Sequence, residues 1–185
     1  GDQAMYAANK QGRNCCSYFT STLPEAAQVR MRLASDLRGA LAGKQLQLYY
    51  QPIVELPTGL INKAEALLRW HHPELGLINP ADFISIAEET RMIIDIGDWV
   101  FRTAAQKVKQ WRASHCARFQ ISINTSPVQF RRDIALHKTW LGFLQELELP
   151  GQSIVIEITE GLLLDAGSGV TSRLRSFREA GIQIS

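Results

Sequence analysis

The feature that most constrains the fold is a very short connector between two strand-like runs in residues 46–70. The first run, Leu46–Val54, contains no charged residue, whereas the second, residues 61–70, contains three. A parallel crossover needs about a dozen residues or more, and the connector at residues 55–60 is far shorter. The two runs are therefore predicted to pair as an antiparallel β-hairpin.

The charged residues of the second run fall on one side of the predicted strand, because strand side chains alternate between two faces. Lys63, Glu65 and Arg69 share this face, and the opposite face is mostly apolar. Two interpretations of Glu65 and Arg69 remain open from this spacing. They form a buried ion pair, or Glu65 provides a carboxylate for a metal ion and Arg69 binds a phosphate.

Strands and helices alternate along the rest of the chain. The order from the second strand onward is β-α-α-β-α-β-α-β, which predicts an α/β fold with parallel strands and right-handed crossovers. A helix stripe containing Val29, Leu33, Leu37 and Leu41 precedes the hairpin, and residues 71–76 are predicted to form a loop. The later strands are predicted at residues 119–124, 154–159 and 182–185, and the later helices at about 80–89, Ile93–Ser114, 134–147 and 170–180.

Three oxygen-bearing side chains are predicted near the C-terminal ends of parallel strands. Glu65, Asn124 and Glu157 each occupy such a position, and in a β/α barrel these strand ends surround the active site. Two carboxylates and an amide suit Mg²⁺, Mn²⁺ or Ca²⁺. In the alternative interpretation, Asn124 is a hydrogen-bonded strand-end residue and Glu157 caps the following helix.

Composition narrows the functional classes. The chain has 185 residues with 45% hydrophobic and 21% charged residues, typical of one ordinary globular domain with a small appendage. A net charge of +2 argues against a broad nucleic-acid-binding surface. No apolar stretch approaches the ~18 residues of a membrane span. Three cysteines, two of them adjacent, argue against a disulfide framework and predict a cytoplasmic location, with a membrane anchor elsewhere in a longer parent protein left open.

Seven ordered blocks resemble the EAL domain, which is named for the triplet at residues 65–67. The resemblance runs from about Met31 to the last residue, and residues 23–185 are interpreted as the N-terminal two-thirds of such a domain. Residues 1–22 are interpreted as a linker preceded by the C-terminal end of a GGDEF domain, through DQAMY at 2–6 and GRN at 12–14. The EAL-like blocks are QPIV at 51–54, EALLRW at 65–70, PADFI at 80–84, AEET at 87–90, IGDW at 96–99, SINTSPVQF at 122–130 and IEITE at 156–160.

The resemblance implies a modified TIM-type (β/α) barrel whose first strand is antiparallel. It also implies hydrolysis of cyclic di-GMP to linear pGpG in bacterial second-messenger signalling, with Mg²⁺ or Mn²⁺ as cofactor. By family position Glu65, Asn124 and Glu157 are metal ligands, with Glu65 also expected to be catalytic. Gln51 and Arg69 are expected to contact the dinucleotide. An inactive cyclic di-GMP-binding effector, or a regulatory interaction module, is the alternative.

This sequence departs from the family pattern at three places. Thr125 stands where the family usually has an aliphatic residue, and Arg91 replaces a frequent turn glycine. The chain stops in the strand that the family continues into a pair of metal-binding aspartates. We therefore expect an incomplete barrel with no hydrolytic activity by itself, with Leu48, Leu67 and Val155 or their neighbours facing solvent or a partner. The open edges predict a homo-oligomer or a domain-swapped dimer.

Overall fold

The computed structural model describes residues 22–132, 134–158 and 168–185. The interpretation of residues 1–22 as a GGDEF remnant and linker falls outside this part, except for Thr22. That residue begins helix α1, which spans Thr22–Ala40. Leu33 and Leu37 of α1 are buried as predicted, but Val29 is 55% exposed, so its place on the buried stripe was wrong.

The predicted antiparallel hairpin is confirmed. Strand β1 spans Leu46–Val54 and β2 spans Ile61–His72, with Gln51 opposite Glu65 in their register. Gly59 closes the connector with a φ of 69°, a left-handed conformation that glycine adopts without steric cost. Strand β3, Gly76–Ile78, pairs antiparallel with the end of β2. The loop predicted at residues 71–76 is therefore partly a second, tight hairpin.

The remaining strands are parallel, as the alternation of strands and helices predicts. Strand β4 spans Gln120–Asn124, β5 spans Ile154–Glu157 and β6 spans Gln183–Ile184. The sheet order is β1-β2-β4-β5-β6. The pairs β2–β4, β4–β5 and β5–β6 are all parallel. This mixed sheet positions successive strand ends side by side, which is the arrangement that the site requires.

Helices cover the outer face of the sheet between successive strands. Pro80 begins helix α2 (Pro80–Thr90) directly after Asn79, whose side chain accepts the N–H of Ala81 and so caps the helix. The short helix α4 (Pro127–Arg132) was not predicted, because it lies within the motif that follows β4. The helices after the hairpin are α2 (Pro80–Thr90), α3 (Ile93–Ser114), α4 (Pro127–Arg132), α5 (Ile134–Glu146) and α6 (Ser168–Glu179), with a 3-10 helix at Gly151–Ser153.

The core lies between the outer face of the sheet and these helices. Trp70 of β2 is fully buried, and Ile121 and Ile156 of the parallel strands are equally inaccessible. Phe101 and Trp140 stack with their ring centroids 4.3 Å apart, which joins α3 to α5. Each such side chain contributes about 1.5–3 kcal/mol of burial free energy. This layer fixes the strands and leaves their inner face for polar residues.

The inner face of the sheet is partly open within the described residues, because β1 and β6 are its two edges. Tyr49 and Ile53 of β1 are 46% and 39% exposed. Leu48 and Leu67 are half-buried, and Val155 is buried at 2% exposure, so the expectation that Val155 faces solvent was wrong. Val155 is paired with Ser122 of β4 and Gln183 of β6, so it lies in the interior of the sheet and not at an edge.

Candidate functional site

The strand register gathers the predicted site residues on the inner face of the sheet. Glu65 of β2 lies beside Gln51 of β1 and Ser122 of β4, whereas Asn124 of β4 lies beside Glu157 of β5. Paired residues of neighbouring strands point to the same side of a sheet. The local alternation of each strand therefore directs all of these side chains inward.

Glu65 and Asn124 meet directly, although they are far apart in sequence. The Asn124 Nδ2 donates a hydrogen bond of 2.7 Å to the Glu65 Oε1. Glu65 is half-buried and Asn124 is exposed, so the pair borders solvent. This bond supports the interpretation of Asn124 as a hydrogen-bonded strand-end residue, and it also brings two oxygen-bearing groups to one point.

Glu65 does not lie at the end of its strand, which corrects the expectation. Strand β2 continues to His72 because its later half pairs antiparallel with β1 and β3. Its parallel pairing with β4, however, ends at Ala66. The parallel segment thus ends beside Glu65, and this segment has the geometry of a barrel strand end.

Arg69 and Glu65 do not pair with each other in the described structure. The Arg69 Nη1 donates to the carbonyl oxygen of Leu68 at 2.9 Å, and its guanidinium lies 5.8 Å from the ring centroid of Tyr49. None of the ion pairs among the described residues joins it to Glu65. The buried ion pair left open by the sequence is therefore not formed, and the half-buried guanidinium retains donors for an anionic ligand.

A cavity of about 580 Å³ opens beside the site. Its lining includes Arg69, Asn124 and Glu157 together with mostly apolar side chains of α2 and α3. Pockets of this kind bind small molecules by apolar contact and use a few polar groups to orient them. The apolar lining includes Pro80, Ile84, Ile93, Ile96 and Val100.

The segment after β4 holds the neighbouring strands together. Both the backbone N–H and the hydroxyl of Thr125 donate to the carbonyl oxygen of Glu157, at 2.9 and 3.1 Å. Thr125 is buried, and its hydroxyl makes a bond that an aliphatic residue at this position cannot make. The departure from the family pattern at this position therefore adds a link between the strands of Asn124 and Glu157.

Three residues with no predicted role, Glu88, Ser126 and Gln129, surround the same segment. The Ser126 hydroxyl donates to the Glu88 Oε1 at 2.7 Å, and the Ser126 N–H donates to the Gln129 Oε1 at 2.8 Å. Their occurrence inside the AEET and SINTSPVQF blocks was visible in the sequence. The contact across 38 sequence positions was not.

The donor atoms at the site suit a hard divalent cation. Glu65 and Glu157 offer carboxylates and Asn124 an amide carbonyl, all oxygen ligands of the kind that Mg²⁺ and Mn²⁺ accept. Across residues 22–132, 134–158 and 168–185, no cluster of three or more His, Cys, Asp or Glu side chains could hold a metal ion. The described donor set is thus two acids and one amide.

The alternative role of Glu157 as a helix cap stays untested. Helix α6 begins at Ser168, and the residues between 158 and 168 lie outside the described part. Glu157 itself is half-buried and borders the cavity.

Comparison with known proteins defines the class. The EAL domain family matches residues 34–185, and the chain belongs to this family. It is 36% identical over 184 residues to the bifunctional diguanylate cyclase/cyclic di-GMP phosphodiesterase MucR of Pseudomonas aeruginosa, covering 100% of this chain and 27% of MucR. It is 34% identical over 183 residues to the cyclic di-GMP phosphodiesterase PdeR of Escherichia coli, covering 99% of this chain and 27% of PdeR. The chain thus spans about a quarter of the length of these relatives.

Solved structures support the fold. The PaMucR phosphodiesterase in its c-di-GMP complex aligns with a TM-score of 0.77 at 35% identity, covering 83% of this chain and 62% of that chain. The FimX EAL domain of Xanthomonas citri in complex with c-diGMP aligns with a TM-score of 0.73 at 22% identity, covering 87% and 62% of the two chains. The α/β fold of the TIM-barrel-like EAL class is therefore confirmed, with the barrel unclosed within the described residues.

None of the helices within residues 22–132, 134–158 and 168–185 is both long and apolar enough to cross a membrane.

Proposed function

We propose that the EAL domain to which this chain contributes hydrolyses cyclic di-GMP to linear pGpG with the help of divalent metal ions. The observation that carries the proposal is the contact between Glu65 and Asn124 on the inner face, where the Asn124 Nδ2 lies 2.7 Å from the Glu65 Oε1. Asn124 is paired with Glu157 on the neighbouring strand. MucR and PdeR, which are named as cyclic di-GMP phosphodiesterases, support the substrate.

Glu65, Asn124 and Glu157 are proposed to hold Mg²⁺ or Mn²⁺ through their oxygen atoms. A divalent ion held by these residues would lower the pKa of a water molecule and offset negative charge on the phosphate. Glu65 is the proposed catalytic ligand, and the Asn124 bond orients its carboxylate. The outer side of the sheet is packed by buried residues, so these side chains project from a rigid base.

Arg69 and Gln51 are proposed to bind the dinucleotide. Arg69 is half-buried, borders the cavity and retains guanidinium donors suited to a phosphate. Gln51 is exposed and lies directly opposite Glu65, where its amide reaches a ligand held at that carboxylate. The adjoining apolar cavity offers space for a non-phosphate part of the same ligand.

Residues 1–22 are proposed to be the C-terminal end of a GGDEF domain followed by a linker, with the EAL domain beginning at residue 23. The alignment with MucR, whose name includes a diguanylate cyclase, covers 100% of this chain. No cyclase activity is proposed for this segment. A cytoplasmic location is proposed with the signalling function, in keeping with the free thiol of Cys116.

The second candidate function is a cyclic di-GMP-binding effector that does not hydrolyse its ligand. It is favoured by the described donor set, which contains only two carboxylates. For the same reason, we expect the 185-residue chain by itself to show no turnover. An effector retains binding of cyclic di-GMP in the full-length protein but produces no pGpG at any metal concentration.

The decisive experiment follows pGpG production by the full-length protein with Mg²⁺ or Mn²⁺, before and after removal of metal by a chelator. Glu65→Ala is expected to abolish turnover, because it removes a ligand oxygen that no neighbour replaces. Asn124→Ala and Glu157→Ala are expected to reduce turnover by roughly 100-fold or more. Glu146→Ala, which removes an exposed acid of α5, is the control. A wild-type rate in Glu65→Ala, or full activity without metal, contradicts the proposal.

A further inference from the structure

We propose that Glu88 and Gln129 are positioning residues that fix Asn124 by holding Ser126 from two sides. This inference rests on the proposed function, since it concerns the orientation of a proposed metal ligand. Ser126 lies two residues after Asn124, where the chain leaves β4 and enters α4. The conformation of this turn determines where the Asn124 side chain points.

Both the hydroxyl and the backbone N–H of Ser126 are hydrogen-bonded. Its hydroxyl donates to Glu88 at 2.7 Å and accepts the Val128 N–H at 3.2 Å, while its backbone N–H donates to Gln129 at 2.8 Å. Ser126 is 9% exposed and Gln129 is 5% exposed. Hydrogen bonds between buried groups are stronger than those on the surface. The loss of one partner leaves a buried polar group without a hydrogen bond, which is costly.

The partners themselves belong to rigid elements. Glu88 lies in the last turn of α2, and its carbonyl oxygen accepts the N–H of Arg91, which ends that helix. Gln129 fits against α3 only because residue 97 is a glycine. A Cβ at Gly97 would lie 1.8 Å from the Gln129 Nε2. Through these contacts helices α2 and α3, neither of which contains a proposed ligand, set the position of the turn.

Asn124 is the last residue of β4 and Thr125 the first residue after it, and these two residues link Ser126 to the site. Thr125 anchors its backbone to Glu157 at 2.9 Å, and Asn124 donates to Glu65 at 2.7 Å. Release of Ser126 loosens the turn and lets the Asn124 amide leave Glu65. A displacement of ~1 Å at a reacting centre can reduce the rate by roughly 100-fold.

The test compares variants of the full-length protein that remove or preserve the acceptor for Ser126. Glu88→Ala and Ser126→Ala are expected to lower kcat roughly 10- to 100-fold while changing KM for cyclic di-GMP less than about threefold. Glu88→Gln keeps an oxygen that accepts the Ser126 hydroxyl, and is expected to stay within about threefold of wild type. Glu89→Ala, which removes the neighbouring acid that pairs with Arg30, is the matched control.

A second measurement does not depend on catalysis. In asparagine-labelled protein, the side-chain amide signal of Asn124, assigned with Asn124→Asp, reports its bond to Glu65. Glu88→Ala is expected to shift this signal and speed its exchange with water, whereas Glu88→Gln and Glu89→Ala leave it unchanged.

The two measurements separate the possible failures. If wild type produces no pGpG, the proposed function fails and the amide signal alone decides the role of Glu88. If the signal and the kcat per folded molecule are both unchanged in Glu88→Ala, the positioning role is overturned. Equal damage by Glu88→Gln and Glu88→Ala also overturns it, because the hydrogen-bond acceptor is then not what matters.

Discussion

The hydroxyl of Tyr50 is buried without a hydrogen-bond partner among the described residues. Its ring packs edge-on against Trp111, with centroids 5.0 Å apart, on the outer face of β1. Burial raises the pKa of Tyr50 from 10.0 to about 12. The ring thus contributes packing. The hydroxyl reduces stability, because on folding it loses its hydrogen bonds to water and gains no other partner.

Tyr50→Phe is accordingly expected to increase the free energy of unfolding by about 1 kcal/mol, since it removes only the unpaired hydroxyl. Urea unfolding measures this change. Tyr49→Phe is the control, because the Tyr49 hydroxyl is in an exposed pair with His71 at 3.2 Å. A loss of stability in Tyr50→Phe contradicts the account.

The raised pKa gives this prediction a pH dependence. Tyr50 ionises more readily in the unfolded chain than in the folded one, so below pH 10 its ionisation does not lower the stability of the fold. As the pH rises from 10 through about 12, ionisation in the unfolded chain lowers that stability. Unfolding measured across this range should show a smaller alkaline loss of stability in Tyr50→Phe than in wild type.

Arg91 adopts a left-handed backbone conformation with a φ of 64° at the end of α2. This geometry suits the glycine usual at this position in the family, and a side chain there costs about 1 kcal/mol. Arg91→Gly is expected to stabilise the protein by about 0.5–1 kcal/mol in urea unfolding. Arg91→Ala keeps the Cβ and is expected to show no such gain; an equal gain would assign the effect to the guanidinium instead.

At the scale of elements, a glycine allows the crossover before β5 to pack closely. Gly151 begins the 3-10 helix, and a Cβ there would lie 2.0 Å from the backbone oxygen of Ala180. Since backbone cannot move aside as a side chain can, Gly151→Ala is expected to cost about 1–3 kcal/mol or more. Disturbance at this contact reaches both β5, which positions Glu157, and β6.

Gly142→Ala is the matched substitution for this test. Gly142 lies within α5, and a Cβ there meets no atom within 4 Å. It is expected to gain about 0.5–1 kcal/mol, because alanine favours the helix more than glycine does. Thermal unfolding of both variants checks the contrast; similar effects of the two changes would refute the packing argument.

At the scale of the whole molecule, the described sheet has β1 and β6 at its edges. Exposed edges offer unpaired backbone groups to another chain, and apolar side chains on β1 strengthen this tendency. We expect the 185-residue chain to self-associate, with a mass in light scattering that rises with concentration. A monomer at every concentration would show that these edges do not associate.

A charged residue on the edge strand tests where the association occurs. Ile53 of β1 is 39% exposed, and Ile53→Lys is expected to shift the chain toward the monomer. Met31→Lys alters a residue of α1 that is 74% exposed and is not part of the edge strand, and should leave the mass unchanged. If both changes act equally, general surface charge explains the effect.

Features that depend on short stretches of chain could be predicted from the sequence. The length of the 55–60 connector required the antiparallel hairpin, and alternation in each strand assigned Glu65, Asn124 and Glu157 to the inner face. Strand β3 was not predicted, because its three residues are too few to show a periodic pattern of side chains.

Which of these residues are in contact could not be predicted and is seen in the folded structure. It separates Glu65 from Arg69, which share a face and a strand, and joins Glu65 to Asn124 across 59 sequence positions. It also brings Glu88 to Ser126 across 38 positions. Such contacts depend on strand register and on how crossover helices pack, which are set by the whole core. Local periodicity records which side a residue faces, but not its partner on a neighbouring element.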